Sequence, residues 1–228
     1  HSGKQPAERI LAEAKAKIEE HKLKPVLGII VVGEEVPSQV YVRKKVETAA
    51  KVGVEAHVHK LPHNAEEAEL LKLIKKLNHD GKTHGFIVQL PLPRHMNADK
   101  AISTIDPQKD VDGFHPYNMG KVVLNQFDET MFPPATPFGV MKMLEQYEVE
   151  LAGKNAVVIG RSNIVGKPMA LMLLHKNATV SVCHSKTRNM NEFTRNADVI
   201  VSAVGSPKLV TADMVKEGAF VIDVGTTK

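Results

Sequence analysis

Residues 26–33 read Val-Leu-Gly-Ile-Ile-Val-Val-Gly, a continuous apolar run that is rich in β-branched side chains and follows Pro25. A strand that is apolar at consecutive positions is buried on both faces, which is typical of a parallel sheet. Ahead of it, an apolar stripe at helical spacing predicts an amphipathic helix from about residue 5 to 22. We therefore expect helices packed against a parallel sheet.

The alternation of helix and strand continues through the first half of the chain. The pattern predicts a helix at 37–52, a strand at 54–61, a helix at 65–78 and a strand at 85–90. Ser38 is expected near the N-cap of the first of these helices, and Gly53 stands where a helix-ending glycine belongs. Residues 91–138 are rich in Pro, Asn, Asp and Gly, with one short helix predicted at 98–104, and a loop of this length is expected to carry function.

A second series of strands and helices begins at residues 155–160, Asn-Ala-Val-Val-Ile-Gly. A helix is predicted before it at 139–147, and a helix at 166–176 and strands at 178–183, 198–204 and 219–224 are predicted after it. The fold class is therefore α/β, with two domains that each contain a parallel sheet. We place the first domain at residues 1–138 and a Rossmann-like nucleotide-binding domain at residues 139–228.

The composition limits the partners of the protein. The 228 residues are 43% hydrophobic and 25% charged, as in ordinary globular proteins. A net charge of +4 suits anionic small ligands, but 30 basic against 26 acidic residues is far from the excess of a nucleic-acid-binding protein. Cys183 is the single cysteine, so no intrachain disulfide or cysteine-based metal site is expected. A reducing compartment, the cytoplasm or an organelle matrix, fits this cysteine content.

Two further classes are not expected. No apolar run approaches the roughly 18 residues that a membrane span needs, so we expect no membrane association. His57 and His59 share one face of a predicted strand, but no third ligand follows at a suitable spacing. We therefore expect no metal site.

The first candidate constellation is Ser38-x-x-Tyr41-x-x-x-Lys45, in the predicted helix that follows the strand at 26–33. Tyr41 and Lys45 are four residues apart and project from one face of that helix. The helix begins at the carboxyl end of a parallel strand, where open α/β sheets bind their ligands. Taken alone, the pattern is more commonly a solvated basic face with a surface tyrosine.

Two more candidates follow in the first half of the chain. Gln89 lies near the end of an apolar strand and is followed by Leu90 and Pro91, so a fixed amide would face the same crevice. An ordinary strand exit is an equal alternative. Asp110 and Asp112 lie two residues apart in the long loop, where a carboxylate that caps the backbone of a turn is the simpler interpretation.

The last candidate is the loop Gly160-Arg161-Ser162-Asn163-Ile164-Val165-Gly166, between a predicted strand and a predicted helix. Backbone N–H groups at such a helix N-terminus can hold a pyrophosphate, although Ser162 replaces the middle glycine of the usual fingerprint.

An NAD site usually has an acidic residue after the second strand, but here that strand is followed by His184-Ser185-Lys186. Arg161 and Ser185 would suit a 2′-phosphate, so we expect NADP rather than NAD. The candidate cofactor-binding residues are Gly160, Arg161, Ser162, Ile164, Val165, Gly166, His184, Ser185 and Gly205.

Taken together, these motifs resemble the bifunctional methylenetetrahydrofolate dehydrogenase/cyclohydrolase family. In order along the chain, they are Pro-Ser-x-x-Tyr-Val-x-x-Lys at 37–45, Val-Gln-Leu-Pro-Leu-Pro at 88–93, Lys-Asp-Val-Asp-Gly-Phe-His-Pro-Tyr-Asn-x-Gly at 109–120, Pro-x-Thr-Pro-x-Gly-Val at 134–140, Val-Val-Ile-Gly-Arg-Ser-Asn-Ile-Val-Gly-Lys-Pro at 157–168 and Val-Ile-Asp-Val-Gly at 221–225. Six ordered motifs over almost the whole chain are far more specific than any one of them.

The resemblance implies a folate site in a cleft between the domains, and a homodimer. It also implies oxidation of 5,10-methylenetetrahydrofolate to the 5,10-methenyl form with NAD(P) and hydrolysis of that product to 10-formyltetrahydrofolate, a reaction pair that serves one-carbon metabolism and purine biosynthesis. By position, Lys45 would transfer a proton, Gln89 would orient it, Tyr41 would stack on the pterin and Asp112 would bind the amino edge of the pterin. Ser38, Leu90 and Pro91 would also contact the substrate, while Arg161 and Ser185 would line the ribose phosphate of the cofactor.

The sequence departs from the family pattern in two places. Members usually continue beyond the position of Lys228 with a Pro-Val-Pro-Gly-Gly-Val-Gly-Pro loop and a helix that returns to the first domain and helps to close the folate site. Ala135 stands where many members have cysteine, a change that we expect to be mild.

Other functions are left open by the residues. A short-chain dehydrogenase also has a Tyr-x-x-x-Lys pair, but there the pair follows the nucleotide loop, whereas Tyr41 precedes Gly160 here. A monofunctional NAD(P)-dependent dehydrogenase of the same family is compatible with Lys45 and Gln89. A non-catalytic Rossmann module that binds nucleotide, or RNA through its basic surface, is the remaining alternative.

Overall fold

The computed structural model describes residues 2–34 and 36–225, without the side chains of Val36, Pro37 and Ser38. The chain forms two compact units. The first contains the chain up to Asn118 together with Glu129–Phe132, and the second contains Met119–Asp128 together with the chain from Pro133 onward. The boundary that we expect after residue 138 remains a prediction, because a functional domain need not end where a compact unit ends.

The first unit is built on a three-stranded parallel sheet. Its helices and strands are α1 (Lys4–Glu20), β1 (Val26–Val32), α2 (Val36–Val52), β2 (Glu55–Leu61), α3 (Glu67–His79), β3 (Gly85–Val88) and α4 (Ala98–Thr104). The strand order is β2-β1-β3, with β1 in the centre. Ile29 and Ile30 in β1 have no exposed surface, so the prediction of a strand buried on both faces is confirmed.

Alternate residues of β1 bury opposite faces of this sheet. Ile30 and Val32 belong to a core cluster with side chains of α3 and α4, including Leu70 and Ala101. Ile29 and Val31 belong to a second cluster that includes Val42 of α2. Helices therefore cover both faces. Because β1 and β3 are parallel neighbours, their carboxyl ends lie side by side at one edge.

Both ends of α2 agree with the sequence prediction to within one residue. Gly53 has a φ of 86°, and the N–H groups of Gly53 and Val54 donate to the carbonyls of Ala50 and Ala49. These two bonds satisfy carbonyls at the helix end, and the left-handed φ favours glycine. The helix begins at Val36, so Ser38 lies within its first turn and is not the N-cap.

The second unit contains a four-stranded parallel sheet. Its helices and strands are α6 (Ala135–Gln146), β4 (Asn155–Ile159), α7 (Gly166–His175), β5 (Thr179–Cys183), α8 (Met190–Thr194), β6 (Val199–Ser202), a 3-10 turn (Ala212–Met214) and β7 (Phe220–Asp223). The helix α5 (Pro116–Val123) begins in the first unit and ends in the second. The strand order is β5-β4-β6-β7. The strands β4 and β6 are central and buried, and α7 packs its buried Met169 and Leu173 inward.

Three local predictions were incomplete. The helices α5 and α8 were not predicted, because Asn118 and Gly120 lower the helix propensity of one and the other has only five residues. The helix α6 begins at Ala135 rather than Gly139. Proline is tolerated in the first turn of a helix, because the N–H that it lacks has no partner there, so Pro137 does not delay the start.

In the part of the chain that the structure describes, no helix combines the length and the apolar character that crossing a bilayer requires.

The pairing of β1 with β3 leaves no space for a side chain at Gly28. A Cβ atom there would lie 2.8 Å from Cβ of Phe86, its partner residue in β3. We expect Gly28→Ala to lower the free energy of unfolding by about 1–3 kcal/mol, the usual range for overpacking a core. Urea unfolding measures this. Gly81→Ala is the control, because a Cβ atom there meets nothing within 4 Å, and equal stabilities of the two variants would contradict the prediction.

Candidate active site

The carboxyl edge of the first sheet brings Lys45 and Gln89 together. The ammonium Nζ of Lys45, in α2, donates to Oε1 of Gln89 across 3.2 Å in a partly buried environment. The helix α2 follows β1, and Gln89 follows β3, the neighbour of β1 in the sheet. The contact therefore results from the strand order, since the two residues are far apart in sequence.

Gln89 is held in one orientation by its own backbone surroundings. Its N–H donates to the carbonyl of Ile30 across 2.9 Å, which continues the β1–β3 pairing beyond the strand end. Its side-chain Nε2 donates to the carbonyl of Leu90 across 2.8 Å. Because the amide nitrogen is used in this way, Oε1 is the atom that faces Lys45. Leu90 is half-buried and Pro91 is exposed.

The segment Lys109–Asp112 lies beside β3. The N–H of Phe86 donates to the carbonyl of Lys109 across 2.9 Å, and Phe86 and Asp110 form an isolated parallel bridge. A Cβ atom at Gly85 would collide with Cγ1 of Val111, so glycine permits the close approach. The long loop is therefore partly an extension of the sheet, and this delivers Asp112 to the same edge.

The two carboxylates of this segment have different environments. Asp110 is 1% exposed and accepts hydrogen bonds from the N–H groups of Gly113 and His115. Asp110 is thus the residue that caps the turn. Burial raises the pKa of the Asp112 carboxyl above its ordinary value, Lys45 counteracts that rise, and Asp110 adds to it. Lys45 and Asp112 are therefore close enough to influence each other, while Gln89 contacts Lys45 directly.

The other predicted residues of this group are less constrained. Tyr41 lies one turn before Lys45 on α2 and is 44% exposed. A half-exposed ring beside the ammonium is available to a planar ligand. The side chain of Ser38 lies outside the described residues. Sequence reasoning raised turn capping for the pair Asp110 and Asp112, but it did not identify Asp110 as the residue that caps the turn.

The loop between β4 and α7 has the geometry of a nucleotide-binding turn. Gly160 has a φ of 124°, and a Cβ atom on Gly166 would collide with the carbonyl of Gly160. The hydroxyl of Ser162 accepts from the N–H groups of Val165 and Gly166 at 3.1 and 3.3 Å. Ser162 therefore stabilises the beginning of α7, which explains a serine in place of the middle glycine. Ile164 is half-buried and Arg161 is exposed.

The neighbouring strands contribute the rest of the predicted nucleotide group. The strand order places β5 and β6 on either side of β4, so the residues after each strand share one edge. His184 and Ser185 follow β5, where the N–H of His184 donates to Oγ1 of Thr187 across 2.8 Å. Gly205 follows β6. No carboxylate occurs between residues 184 and 191.

This edge is compatible with a dinucleotide that carries a 2′-phosphate. The collisions that a Cβ atom would cause at Gly166 show a backbone turn that only glycine fits, and α7 presents its N-terminus beside it. Arg161 supplies a cation at the end of β4, and Ser185 supplies a hydroxyl at the end of β5. Among residues 2–34 and 36–225, no three His, Cys, Asp or Glu side chains come together as metal ligands. His57 instead contacts Glu55 across 2.6 Å.

The fold and these two groups of side chains define a two-unit α/β protein with a nucleotide-binding loop in its second unit. Residues 1–112 match the catalytic-domain model of tetrahydrofolate dehydrogenase/cyclohydrolase, and residues 134–228 match the NAD(P)-binding-domain model of the same family. The chain belongs to the tetrahydrofolate dehydrogenase/cyclohydrolase family, as the resemblance of its motifs predicted.

Individual relatives agree with this assignment. The chain is 49% identical to the bifunctional protein FolD of Moorella thermoacetica, with 99% of this chain and 81% of that relative covered. The crystal structure of the bifunctional enzyme FolD from Campylobacter jejuni has a TM-score of 0.94 at 47% identity and covers 98% of this chain and 79% of that chain. The structure of FolD from Trypanosoma brucei, complexed with NADP and an inhibitor, has a TM-score of 0.90 at 37% identity. The match covers 99% of this chain and 76% of that chain.

The environment of Asp112 predicts a stability effect in the unliganded protein. Because the raised pKa means that the folded state binds the proton more tightly than the unfolded chain, stability falls as pH rises from the ordinary value of 3.8 through the raised value. Asp112→Asn removes that cost and should raise the thermal midpoint at pH 7, with a smaller gain as pH approaches 4. Thermal unfolding across this pH range measures it.

The matched control is Asp106→Asn, in the same loop, where the carboxylate accepts from the N–H of Gln108 across 2.9 Å. This variant should show no gain at pH 7. A lower midpoint for Asp112→Asn than for the parent at pH 7 would show that the buried carboxylate is stabilised, contrary to the prediction.

Proposed function

We propose that this chain oxidises 5,10-methylenetetrahydrofolate to 5,10-methenyltetrahydrofolate with NADP and hydrolyses that product to 10-formyltetrahydrofolate. The observation that carries the proposal is the hydrogen bond between Lys45 and Gln89, formed beside the carboxyl group of Asp112. The relatives that cover almost the whole chain are named as bifunctional enzymes. Both activities are therefore assigned in preference to a monofunctional dehydrogenase or a non-catalytic nucleotide-binding module.

In this proposal Lys45 is the group that transfers protons during hydrolysis. Its ammonium has one fixed acceptor, Oε1 of Gln89, and the Gln89 amide is held in turn by the carbonyl of Leu90. A general acid or base must be positioned within hydrogen-bond reach of the reacting atom. The amide is a neutral partner, so it can orient the lysine and still leave the other N–H groups of the ammonium for substrate or water.

Asp112 and Tyr41 would hold the pterin next to this lysine. A carboxylate accepts hydrogen bonds from an amino-substituted ring edge, and ionisation of Asp112 would strengthen such bonds. The exposed ring of Tyr41 lies one turn from Lys45 on the same helix and offers a stacking surface. Ser38, Leu90 and Pro91 complete the proposed substrate contacts by their positions in the chain.

The second unit would hold NADP through the loop after β4. The dehydrogenase step needs a hydride acceptor, which bound NADP would supply, while the protein would bind and orient it. The N-terminus of α7 and the glycines Gly160 and Gly166 would receive the pyrophosphate, with Ser162, Ile164 and Val165 forming the turn. Arg161, His184 and Ser185 would surround the 2′-phosphate, and Gly205 would allow close approach at the end of β6.

The proposal extends to the partners, the location and the pathway of the protein. We infer a homodimer without nucleic-acid or membrane partners, a cytoplasmic location and a supply of one-carbon units to purine biosynthesis. The family resemblance supports the dimer and the pathway, and the modest net charge of +4 argues against nucleic acid. The single, buried thiol of Cys183 is compatible with a reducing compartment. We also propose residue 138 as the end of the folate-binding domain.

Lys45→Met should leave the fold intact and lower the rate of methenyltetrahydrofolate hydrolysis by at least about a hundredfold, the scale of general acid–base catalysis. The decay of methenyltetrahydrofolate absorbance measures the rate. Lys44→Met is the matched control, because the neighbouring Lys44 is exposed on the same helix. Hydrolysis by Lys45→Met at the parent rate would exclude Lys45 from the mechanism.

Arg161→Ala should weaken NADP binding about tenfold or more, as expected for loss of a charge-assisted hydrogen bond, and should change NAD binding little. Calorimetric titration with each nucleotide measures the two affinities. Lys176→Ala removes one exposed cation at the other end of α7 and controls for the change in net charge. Equal losses for NADP and NAD would refute the proposed contact with the 2′-phosphate.

A further inference from the structure

Asp110 is buried in the turn that presents Asp112. Its Oδ1 accepts from the N–H of Gly113 across 3.1 Å, and its Oδ2 accepts from the N–H of His115 across 2.8 Å. Both donors follow Asp112 in the chain, whereas Asp110 precedes it. The carboxylate therefore closes the turn around Asp112 and limits the positions that Asp112 can occupy.

A second side chain fixes Asp110 from α5. Nδ2 of Asn118 donates to Oδ2 of Asp110 and to the carbonyl of Pro107, both across 2.9 Å. Asn118 is 1% exposed. The opposite orientation of its amide would place Oδ1 against the Asp110 carboxylate, so electrostatic repulsion selects the observed orientation. Asp110 and Asn118 thus form one buried unit.

The turn is also attached to the scaffold on its other side. Nζ of Lys109 donates to the carbonyls of Leu77 and Asp80, both across 2.8 Å, at the end of α3. The carbonyl of Lys109 accepts from the N–H of Phe86 in β3. Through Lys109 and Asn118 the turn is therefore attached to α3, β3 and α5, and anchoring to regular structure is the arrangement that a precise binding site needs.

We propose that Asp110 is a positioning residue for folate: through its bonds to Gly113, His115 and Asn118, it holds Asp112 where Asp112 binds the substrate. The inference rests on the proposed function, in which Asp112 accepts hydrogen bonds from the pterin. Asp110 itself has no free face for a ligand, since it is buried and its oxygens accept three hydrogen bonds.

The charge of Asp110 supports this role. Burial is the larger cause of the raised pKa of Asp112, and Asp110 adds to it, while Lys45 from α2 counteracts it. The other polar side chains of the turn are directed elsewhere: Nζ of Lys109 donates at the end of α3, and Nδ1 of His115 accepts from the N–H of Tyr117. Removing the charge of Asp110 should therefore lower the pH at which Asp112 ionises.

The first test is a double-mutant cycle. The Kd of tetrahydrofolate, kept anaerobic, is measured by calorimetry for the parent, Asp110→Asn, Asp112→Asn and the double variant. We expect Asp110→Asn to weaken binding about tenfold in the parent, as for loss of a positioned charge-assisted bond, and less than about twofold in the Asp112→Asn background. Equal losses in both backgrounds would make Asp110 a merely structural residue and would overturn the proposal.

The second test is the pH profile of the same Kd. Affinity in the parent should fall as pH decreases through the pKa of Asp112, and Asp110→Asn should shift that fall to lower pH. The pH profile of the Kd for Asp112→Asn is the reference, because it lacks the Asp112 carboxyl and retains the protonation of the ligand. A profile for Asp110→Asn with the parent midpoint, or with a higher one, would contradict the proposal.

Two further variants keep the outcome unambiguous. Asn118→Ala removes a hydrogen bond to Asp110 without removing the charge of Asp110. It should weaken tetrahydrofolate binding in the parent and not in the Asp112→Asn background. This variant therefore tests the proposal even if Asp110→Asn fails to fold. Asp106→Asn, which also removes a carboxylate that accepts a backbone N–H in this loop, should change the Kd less than about twofold. If Asp112→Asn alone left the Kd of tetrahydrofolate unchanged, the proposed role of Asp112 in binding the substrate would be wrong. That result differs from equal losses for Asp110→Asn in both backgrounds, which would overturn only the positioning role of Asp110.

Discussion

The site depends on the burial of β1 between helices on both faces of its sheet. Ile29 and Ile30 have no exposed surface, and β1 pairs with β2 on one side and with β3 on the other. Because β1 and β3 are parallel, β3 ends beside β1. The carboxyl ends of the two strands then lie at one edge. That constraint alone brings the helix carrying Lys45 and the residue after β3, Gln89, within hydrogen-bond distance. Glycine at position 28 is a consequence, since Phe86 leaves no room for a side chain.

The polar groups at this edge are supported by successive contacts. Lys45 is oriented by Gln89, and Gln89 is oriented by a backbone carbonyl. Asp112 is held by a turn whose own carboxylate, Asp110, is buried and fully engaged. Buried polar groups are tolerated only when their partners are in place, so this arrangement favours one geometry. It also places a carboxyl with a raised pKa beside a lysine, a combination that is frequent at functional sites.

In the second unit, parallel strands also bring separate loops to one edge of the sheet, but the residues of those loops differ. The order β5-β4-β6 gathers the loop at 160–166, the residues after β5 and Gly205 along one edge. Ser162 shows how a departure from the usual glycine fingerprint is accommodated, because its hydroxyl satisfies N–H groups at the start of α7. The family assignment, derived first from six ordered motifs, agrees with the matches to both domain models.

The sequence by itself determined the fold class, the nucleotide loop, the family and the candidate residues, because apolar runs, glycine positions and motif order are local properties of the chain. It did not determine which of Asp110 and Asp112 caps the turn, since both stand in similar local sequence and only the hydrogen bonds of the folded turn distinguish them. The helices α5 and α8 were missed because their own propensities are weak. The meeting of Lys45 with Gln89 was decided by strand order, a long-range property that local pattern can suggest but only the packed sheet produces.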